Sequence, residues 1–156
     1  MKKIEIFWWA ICQVESGQNP EAVNLKELAL GIVQIRPVYV TDVNRILGRK
    51  EYNMSDRTDV SKSREMMLIY LCHYVPNIVH NSAFRNLLTK DLEDSDFRFS
   101  QIEWNAMEFA ARIHNGGPEG YRRQRTKQYW RAVERQIQIR SLQLREEMFR
   151  SPTTRK

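Results

Sequence analysis

Residues 4–17 read IEIFWWAICQVESG, and this stretch decides how the chain begins to fold. Its apolar residues recur at the spacing of one face of an α-helix. They are Ile4, Phe7, Trp8, Ile11 and Cys12. Glu15 comes three residues after the last of them, on the same stripe, and Gly17 follows as a stop. We therefore predict an amphipathic helix with a glutamate at the carboxyl end of its buried face.

The position of Glu15 predicts an unusual carboxyl group. Apolar surroundings disfavour its ionised form, and so does the negative end of the helix dipole, so its pKa is expected to be raised. Cleavage of a glycosidic bond needs a carboxylic acid that keeps its proton near neutral pH. The structural alternative is a surface glutamate at a helix end.

Two other short segments are candidates for a binding site. Residues 31–35, GIVQI, are rich in β-branched residues and predict a short strand or extended stretch. On it, the Gln34 amide could hold a sugar hydroxyl or an N-acetyl group, and Gly31 could let the chain approach a substrate closely. Asn115 ends a second apolar helix and could bind an acetamido group or orient the glutamate. The structural alternatives are a solvated strand residue and a helix-end residue.

These features, in this order, resemble the lysozyme-like superfamily, in particular the lytic transglycosylase (SLT) domain, goose-type lysozymes and phage lysins. The resemblance rests on VESG at 14–17, GIVQI at 31–35, IHNG at 113–116 and the aromatic pair at 129–130, and it covers roughly residues 4–135. It implies that Glu15 protonates the oxygen between N-acetylmuramic acid and N-acetylglucosamine. It also implies that the substrate is bound by Ser16, Gln34, Ile35, His114, Asn115 and Tyr129. No cofactor and no metal are implied.

The chain departs from this family pattern in two places. His114 replaces a tyrosine that is thought to contact the glutamate in relatives, and it could take over that hydrogen bond. Leu28-Ala29-Leu30 stand where the family favours a small residue and a glycine.

The second reaction step stays open between water and the muramic 6-hydroxyl. Glu27 and Asp42 are candidates for a second carboxylate, but we expect plain surface charge at both and a single-glutamate mechanism.

We predict a mainly α, α+β lysozyme-like domain over residues 1–150, with a strand or hairpin near 28–36 beside a sugar-binding cleft and a disordered tail at 151–156. An acidic loop is expected over residues 91–96. Further helices are predicted over 38–47, after the cap Asp59 as far as Pro76, over 84–88, after the capping box at Ser100, and from about 126 to 148. The helix after Ser100 is expected to bury Ile102, Ala106, Phe109, Ala110 and Ile113.

The charge of the chain leaves other functions open. Lys and Arg number 25 against 19 Asp and Glu, a net charge of +6, which favours an anionic partner such as a cell wall or nucleic acid. The alternatives are therefore a basic nucleic-acid-binding module and a non-catalytic wall-binding relative. No helix-turn-helix, zinc or RNA-recognition pattern accompanies the charge, so nucleic acid is not favoured.

Other features of the sequence concern membrane insertion, export, oligomeric state and the cysteines. No apolar run is long enough to span a bilayer. Glu5 interrupts the apolar N-terminus and no cleavage site follows, so we expect no signal peptide. A wall-cutting enzyme of this kind would act in the periplasm or outside the cell, and would be phage-encoded, injected or stripped of its leader. We expect a monomer, and buried free thiols at Cys12 and Cys72.

Overall fold

The computed structural model describes residues 2–89 and 98–150, which form six α-helices and one two-stranded antiparallel sheet. The helices are α1 (Lys3–Ser16), α2 (Pro37–Leu47), α3 (Val60–Tyr74), α4 (Ile78–Thr89), α5 (Gln101–Gly116) and α6 (Thr126–Arg150); the strands are β1 (Val23–Asn24) and β2 (Ala29–Leu30). The predicted mainly helical class with a small hairpin is confirmed. The predicted acidic loop at 91–96 and the tail at 151–156 lie outside the described residues.

Helix α1 lies in the core, as its apolar stripe predicts. Phe7 and Ile11 are fully buried, and the Phe7 ring meets Phe84 of α4 edge to face, with 5.9 Å between ring centroids. The helix packs mainly against α6, while α5 packs against both α4 and α6. Burial of these aromatic and aliphatic side chains is the main favourable term in folding. It fixes the carboxyl end of α1, where Glu15 lies.

The helix ends follow the capping residues in the sequence. Helix α1 ends at Gly17 and α2 at Gly48, both in the left-handed conformation, with φ of 62° and 67°. Asp59 accepts a hydrogen bond from the backbone of α3, and Ser100 forms a capping box with Glu103 at the start of α5. Most predicted helix boundaries are thus confirmed, although the helix predicted at 84–88 is longer, because α4 begins at Ile78.

The strand predicted over residues 31–35 is wrong. Only Ala29 and Leu30 pair with β1, and the chain then turns through residues 31–34 before Ile35 forms a bridge back to Leu30. Gly31 and Gln34 have φ of 81° and 50°, which no extended strand allows. The β-branched residues between them are buried in the core within this turn.

Two further expectations on burial need correction. Ile102 is 40% exposed and Phe109 is half-buried, because the buried face of α5 is centred on residues such as Met107 and Ala111. Cys72 is half-buried, whereas Cys12 is fully buried as predicted, and both thiols are free. Burial raises the pKa of the Cys12 thiol to about 12.

Among the described residues, no helix combines the length and apolarity needed to cross a membrane.

Candidate active site

A cleft of about 630 Å³ opens at the carboxyl ends of α1 and α5. The hairpin of β1 and β2, the segment that follows it, the helix α2 and Tyr70 of α3 also line the cleft. Four of the residues predicted to act on the substrate meet there, and they are Glu15, Gln34, His114 and Asn115. The chain brings them together because both apolar helices end at this point, with the turn at residues 31–34 beside them.

Glu15 is almost enclosed, since its side chain is only 16% exposed. Burial raises the pKa of its carboxyl group to about 7, in the direction predicted from the sequence. An interaction with the Tyr129 hydroxyl and the positive charge of Arg36 both lower this pKa, and burial outweighs them. A large fraction of the carboxyl groups is therefore protonated at neutral pH, which suits a proton donor.

The Tyr129 hydroxyl interacts with Glu15 from α6. It is buried and makes no hydrogen bond of ordinary geometry with any described residue, so its contact with the carboxyl group is loose. Burial raises the pKa of Tyr129 well above its usual value, so the hydroxyl keeps its hydrogen. The side chain can act only as a donor of that hydrogen or as a neutral acceptor.

The bonding of His114 defines its protonation state. Its Nε2 lies 3.1 Å from the Val33 carbonyl oxygen, which only accepts, so Nε2 carries the hydrogen. Its Nδ1 lies 3.4 Å from the Tyr39 hydroxyl and accepts from it. Burial lowers the pKa of His114 to about 4, and the ring is neutral at pH 7. The approach of Nε2 to Oε1 of Glu15, at 3.6 Å, is therefore not an ion pair.

The Gln34 side chain holds the hairpin. Its Nε2 donates to the carbonyl oxygens of Ala22, at 3.1 Å, and Gly31, at 2.9 Å. Both amide hydrogens are thus used within the protein, and this pair of acceptors fixes which end of the amide is nitrogen. The Oε1 atom has no partner among the described residues, so in the cleft Gln34 offers an acceptor and no donor.

The other predicted binding residues do not line the cleft. Ser16 donates from its hydroxyl to the Ile32 carbonyl oxygen at 2.8 Å, which ties the end of α1 to the turn. Ile35 is fully buried, and its backbone pairs with Leu30. Neither residue is part of the cleft lining, and neither is Tyr129. Their side chains support the residues that line it.

Arg57 is a structural residue of the site that the sequence did not reveal. Its guanidinium is buried and donates from Nη1 to the carbonyl oxygens of Leu28, at 2.9 Å, and Ile35, at 3.2 Å. Burial lowers the pKa of Arg57. A Cβ atom on Gly31 would lie 1.9 Å from the Arg57 carbonyl oxygen. The close approach predicted for Gly31 is therefore to Arg57, and not to a substrate. In the sequence, Arg57 is a single arginine in a polar, loop-like stretch, and nothing in that pattern predicts such a role.

The two candidate second carboxylates line the cleft but are engaged. Glu27 lies 3.4 Å from Nε of Arg36. Asp42 accepts from Nε of Arg45 at 2.7 Å and from the Tyr74 hydroxyl at 2.6 Å. Within residues 2–89 and 98–150, no three or more His, Cys, Asp or Glu side chains form a group that could hold a metal ion.

The cleft with the buried Glu15 carboxyl group is the candidate active site, and a comparison with known families identifies the class of protein. Residues 5–137 match the family model of the transglycosylase SLT domain. The match covers most of the chain, so the protein belongs to this family of lytic transglycosylases, which act on peptidoglycan. No curated protein matches the chain. The predicted family and enzyme class are confirmed, and the alternative of a non-catalytic binding module is not favoured.

Proposed function

We propose that the protein cleaves glycan strands between N-acetylmuramic acid and N-acetylglucosamine, with Glu15 as the general acid. The observation that carries this proposal is the nearly enclosed carboxyl group of Glu15 at the wall of the cleft, where burial raises its pKa to about 7. A donor whose pKa is close to the working pH gives the largest product of protonated fraction and driving force for proton transfer.

In the first step, Glu15 gives its proton to the glycosidic oxygen. The bond from that oxygen to C1 of the muramic residue breaks, and its electron pair stays with the leaving oxygen. Positive charge then develops on the muramic ring. In the second step, the muramic 6-hydroxyl oxygen bonds to C1 and its proton passes to the Glu15 carboxylate. The products are an anhydro-muramic end and a new N-acetylglucosamine end, and Glu15 regains its proton.

The engaged carboxylates favour this ring closure over attack by water. Glu27 is paired with Arg36, and Asp42 is held by Arg45 and Tyr74. Neither is a free base at the cleft, so activation of a water by a second carboxylate is poorly supported. The 6-hydroxyl needs no second base in this scheme, because Glu15 serves as acid and then as base.

Three side chains of the cleft are proposed to bind the sugars. The Asn115 amide makes no side-chain hydrogen bond to a described residue, so it can both donate to and accept from an acetamido group. The Oε1 atom of Gln34 can accept from a sugar N–H or hydroxyl. His114 lies beside the acid at the end of α5. Ser16, Ile35 and Tyr129 are proposed to position this surface. One chain supplies all these groups, so a monomer suffices.

The test uses the purified protein on isolated peptidoglycan, with mass spectrometry of the products. The unaltered protein is expected to release fragments with anhydro ends. A Glu15→Gln variant, which cannot donate the proton, should be about 10²- to 10⁴-fold slower. Glu146→Gln makes the same change on the exposed surface of α6 and should be fully active. Reducing ends would show attack by water, and equal activity of Glu15→Gln would exclude Glu15 as the acid.

A further inference from the structure

The positive charge of the chain lies beyond residue 121. Residues 1–121 contain 14 Lys or Arg and 16 Asp or Glu, so this larger part of the chain is slightly negative. Residues 122–135 alone contain six Lys or Arg and one Glu, a net charge of +5. The protein is therefore not uniformly basic, but carries a short, strongly basic segment.

Five exposed side chains of this segment form the basic surface, and they are Arg123, Arg125, Lys127, Arg131 and Arg135. The last three occur at every fourth residue of α6, so they lie in a row on one side of that helix. At 1.5 Å per residue, the row is about 12 Å long. A row of separate cations suits a linear polyanion better than a single small anion.

The charges of the basic surface are not used by the fold. None of its five side chains forms an ion pair or a hydrogen bond with residues 2–89 or 98–150, whereas the adjacent Arg122 is paired with Glu119 at 3.0 Å. Like charges four residues apart on a helix repel each other, and a cation in the first turn, such as Lys127, opposes the helix dipole. These charges therefore weaken α6 rather than stabilise it, and they are free to bind a partner.

The basic surface begins beside the cleft. Pro118 lines the cleft, and Arg123 follows five residues later, so their Cα atoms are at most about 18 Å apart. The start of α6 is held in place by the buried Arg112, whose Nη2 donates to the Arg123 carbonyl oxygen at 3.3 Å and whose Nε donates to the Thr126 hydroxyl at 3.1 Å. A polymer on the basic surface is therefore close to any strand in the cleft.

The surroundings of these cations indicate which polyanion fits them. Residues 122–135 expose no large apolar side chain that could insert into a bilayer. Their two aromatic residues offer no platform for nucleic-acid bases, because Trp130 is buried and the Tyr129 hydroxyl is buried against Glu15. Four of the five cations are arginines, whose planar groups bind phosphate through two hydrogen bonds. A phosphate polymer without bases or lipid chains fits best.

We infer that the basic surface binds a phosphodiester polymer of the cell wall, built of glycerol phosphate or sugar phosphate units. The family of this chain acts on peptidoglycan, so a polyanion carried by the wall is the one that the enzyme meets at its cleft. Binding holds the enzyme on those parts of the wall that carry the polymer. The inference does not depend on which residue is the acid.

The test measures the binding of fluorescently labelled poly(glycerol phosphate) by fluorescence anisotropy at several salt concentrations. The row variant carries Lys127→Gln, Arg131→Gln and Arg135→Gln, which remove the charges of the row while keeping good helix formers in α6. We expect it to bind roughly 10- to 100-fold more weakly than the unaltered protein. The slope of log Kd against log salt should fall by about two, because three phosphate contacts are lost.

The matched control carries Lys2→Gln, Lys26→Gln and Lys50→Gln. It removes the same charge from three exposed positions outside the basic surface, and it should bind about as tightly as the unaltered protein. Circular dichroism checks that both variants are folded. If the row variant is not, Arg131→Gln and Arg135→Gln are measured singly, and each is expected to weaken binding roughly 2- to 5-fold.

Three outcomes overturn the inference. The first is no binding of poly(glycerol phosphate) by the unaltered protein at low salt. The second is an equal loss of affinity in the row variant and the control, since net charge alone would then explain the binding. The third is tighter binding of single-stranded DNA or of phosphatidylglycerol vesicles at equal phosphate concentration. No cleavage is measured, so a failure of the proposed function leaves this result unchanged.

Discussion

Nε2 of His114 lies 3.6 Å from Oε1 of Glu15, yet its hydrogen is bonded to the Val33 carbonyl oxygen. A protonated histidine at this distance would favour the ionised carboxylate and lower the pKa of Glu15. Burial keeps the ring neutral, because it lowers the pKa of His114 to about 4. His114 therefore supports the position of Glu15 but, because its ring is neutral, does not lower the pKa of the Glu15 carboxyl group.

The raised pKa of Glu15 predicts how stability depends on pH. The carboxyl group ionises near 4.5 when unfolded and near 7 when folded, so the folded state binds more protons in between. Stability should therefore fall as pH rises from about 4.5 to 7, by about 2–3 kcal/mol from this group. Glu15→Gln removes this loss. Urea unfolding of both proteins should give equal stabilities near pH 4 and a more stable variant near pH 8. A pH-independent difference would contradict the assignment.

The same group predicts the alkaline limb of activity. A general acid must be protonated in the free enzyme, so kcat/KM should fall about tenfold per pH unit above about pH 7. Initial rates on solubilised glycan strands in a series of buffers at constant ionic strength measure this. An activity that stays constant to about pH 9 would show that the essential proton is held elsewhere.

His114 is expected to contribute to both stability and rate. His114→Phe leaves the buried Val33 carbonyl oxygen and the Tyr39 hydroxyl without partners, which should cost about 1–3 kcal/mol in free energy of unfolding. Activity should also fall, because the turn beside Glu15 loses the hydrogen bond between residue 114 and the Val33 carbonyl oxygen. Tyr39→Phe is the control, since it removes one partner and leaves the bond to Val33 intact. Thermal unfolding and rates on peptidoglycan test this, and equal effects of the two variants would contradict it.

Alanine substitutions at Gly31 and Gly17 form a matched pair that tests how closely Arg57 approaches the backbone at Gly31. Both have positive φ, so alanine is strained at either position by about 1–2 kcal/mol. At Gly17 nothing lies within 4 Å of the added Cβ, whereas at Gly31 it would lie 1.9 Å from the Arg57 carbonyl oxygen. We expect Gly31→Ala to cost at least about 2 kcal/mol more than Gly17→Ala, in line with other forced overpacking. Similar midpoints in urea would refute the close approach to Arg57.

The sequence predicts those parts of the fold that depend on local pattern. Helix α1 and its end follow from an apolar period and a glycine, and the start of α5 follows from the capping box at Ser100. Glu15 could be selected because it continues an apolar stripe, and burial does raise its pKa. These features need no knowledge of distant residues.

The turn at residues 31–34 could not be predicted in the same way. Its β-branched residues have the composition of a strand, but their side chains are buried in the core without a neighbouring ladder. What holds the turn comes from elsewhere in the chain: the Gln34 amide donates back to Ala22, and Arg57 donates from the later 3-10 helix Met54–Thr58. Such long-range partners leave no periodic trace in a sequence.

The buried guanidinium of Arg57 has a consequence for substrate affinity. Its bonds to Leu28 and Ile35 hold the hairpin wall before any sugar arrives. The conformational entropy of that wall is therefore lost during folding, and little of it remains to be lost on association. The hairpin wall is therefore a rigid, preorganised surface for the glycan strand. Even short oligosaccharides should bind without first ordering a loop.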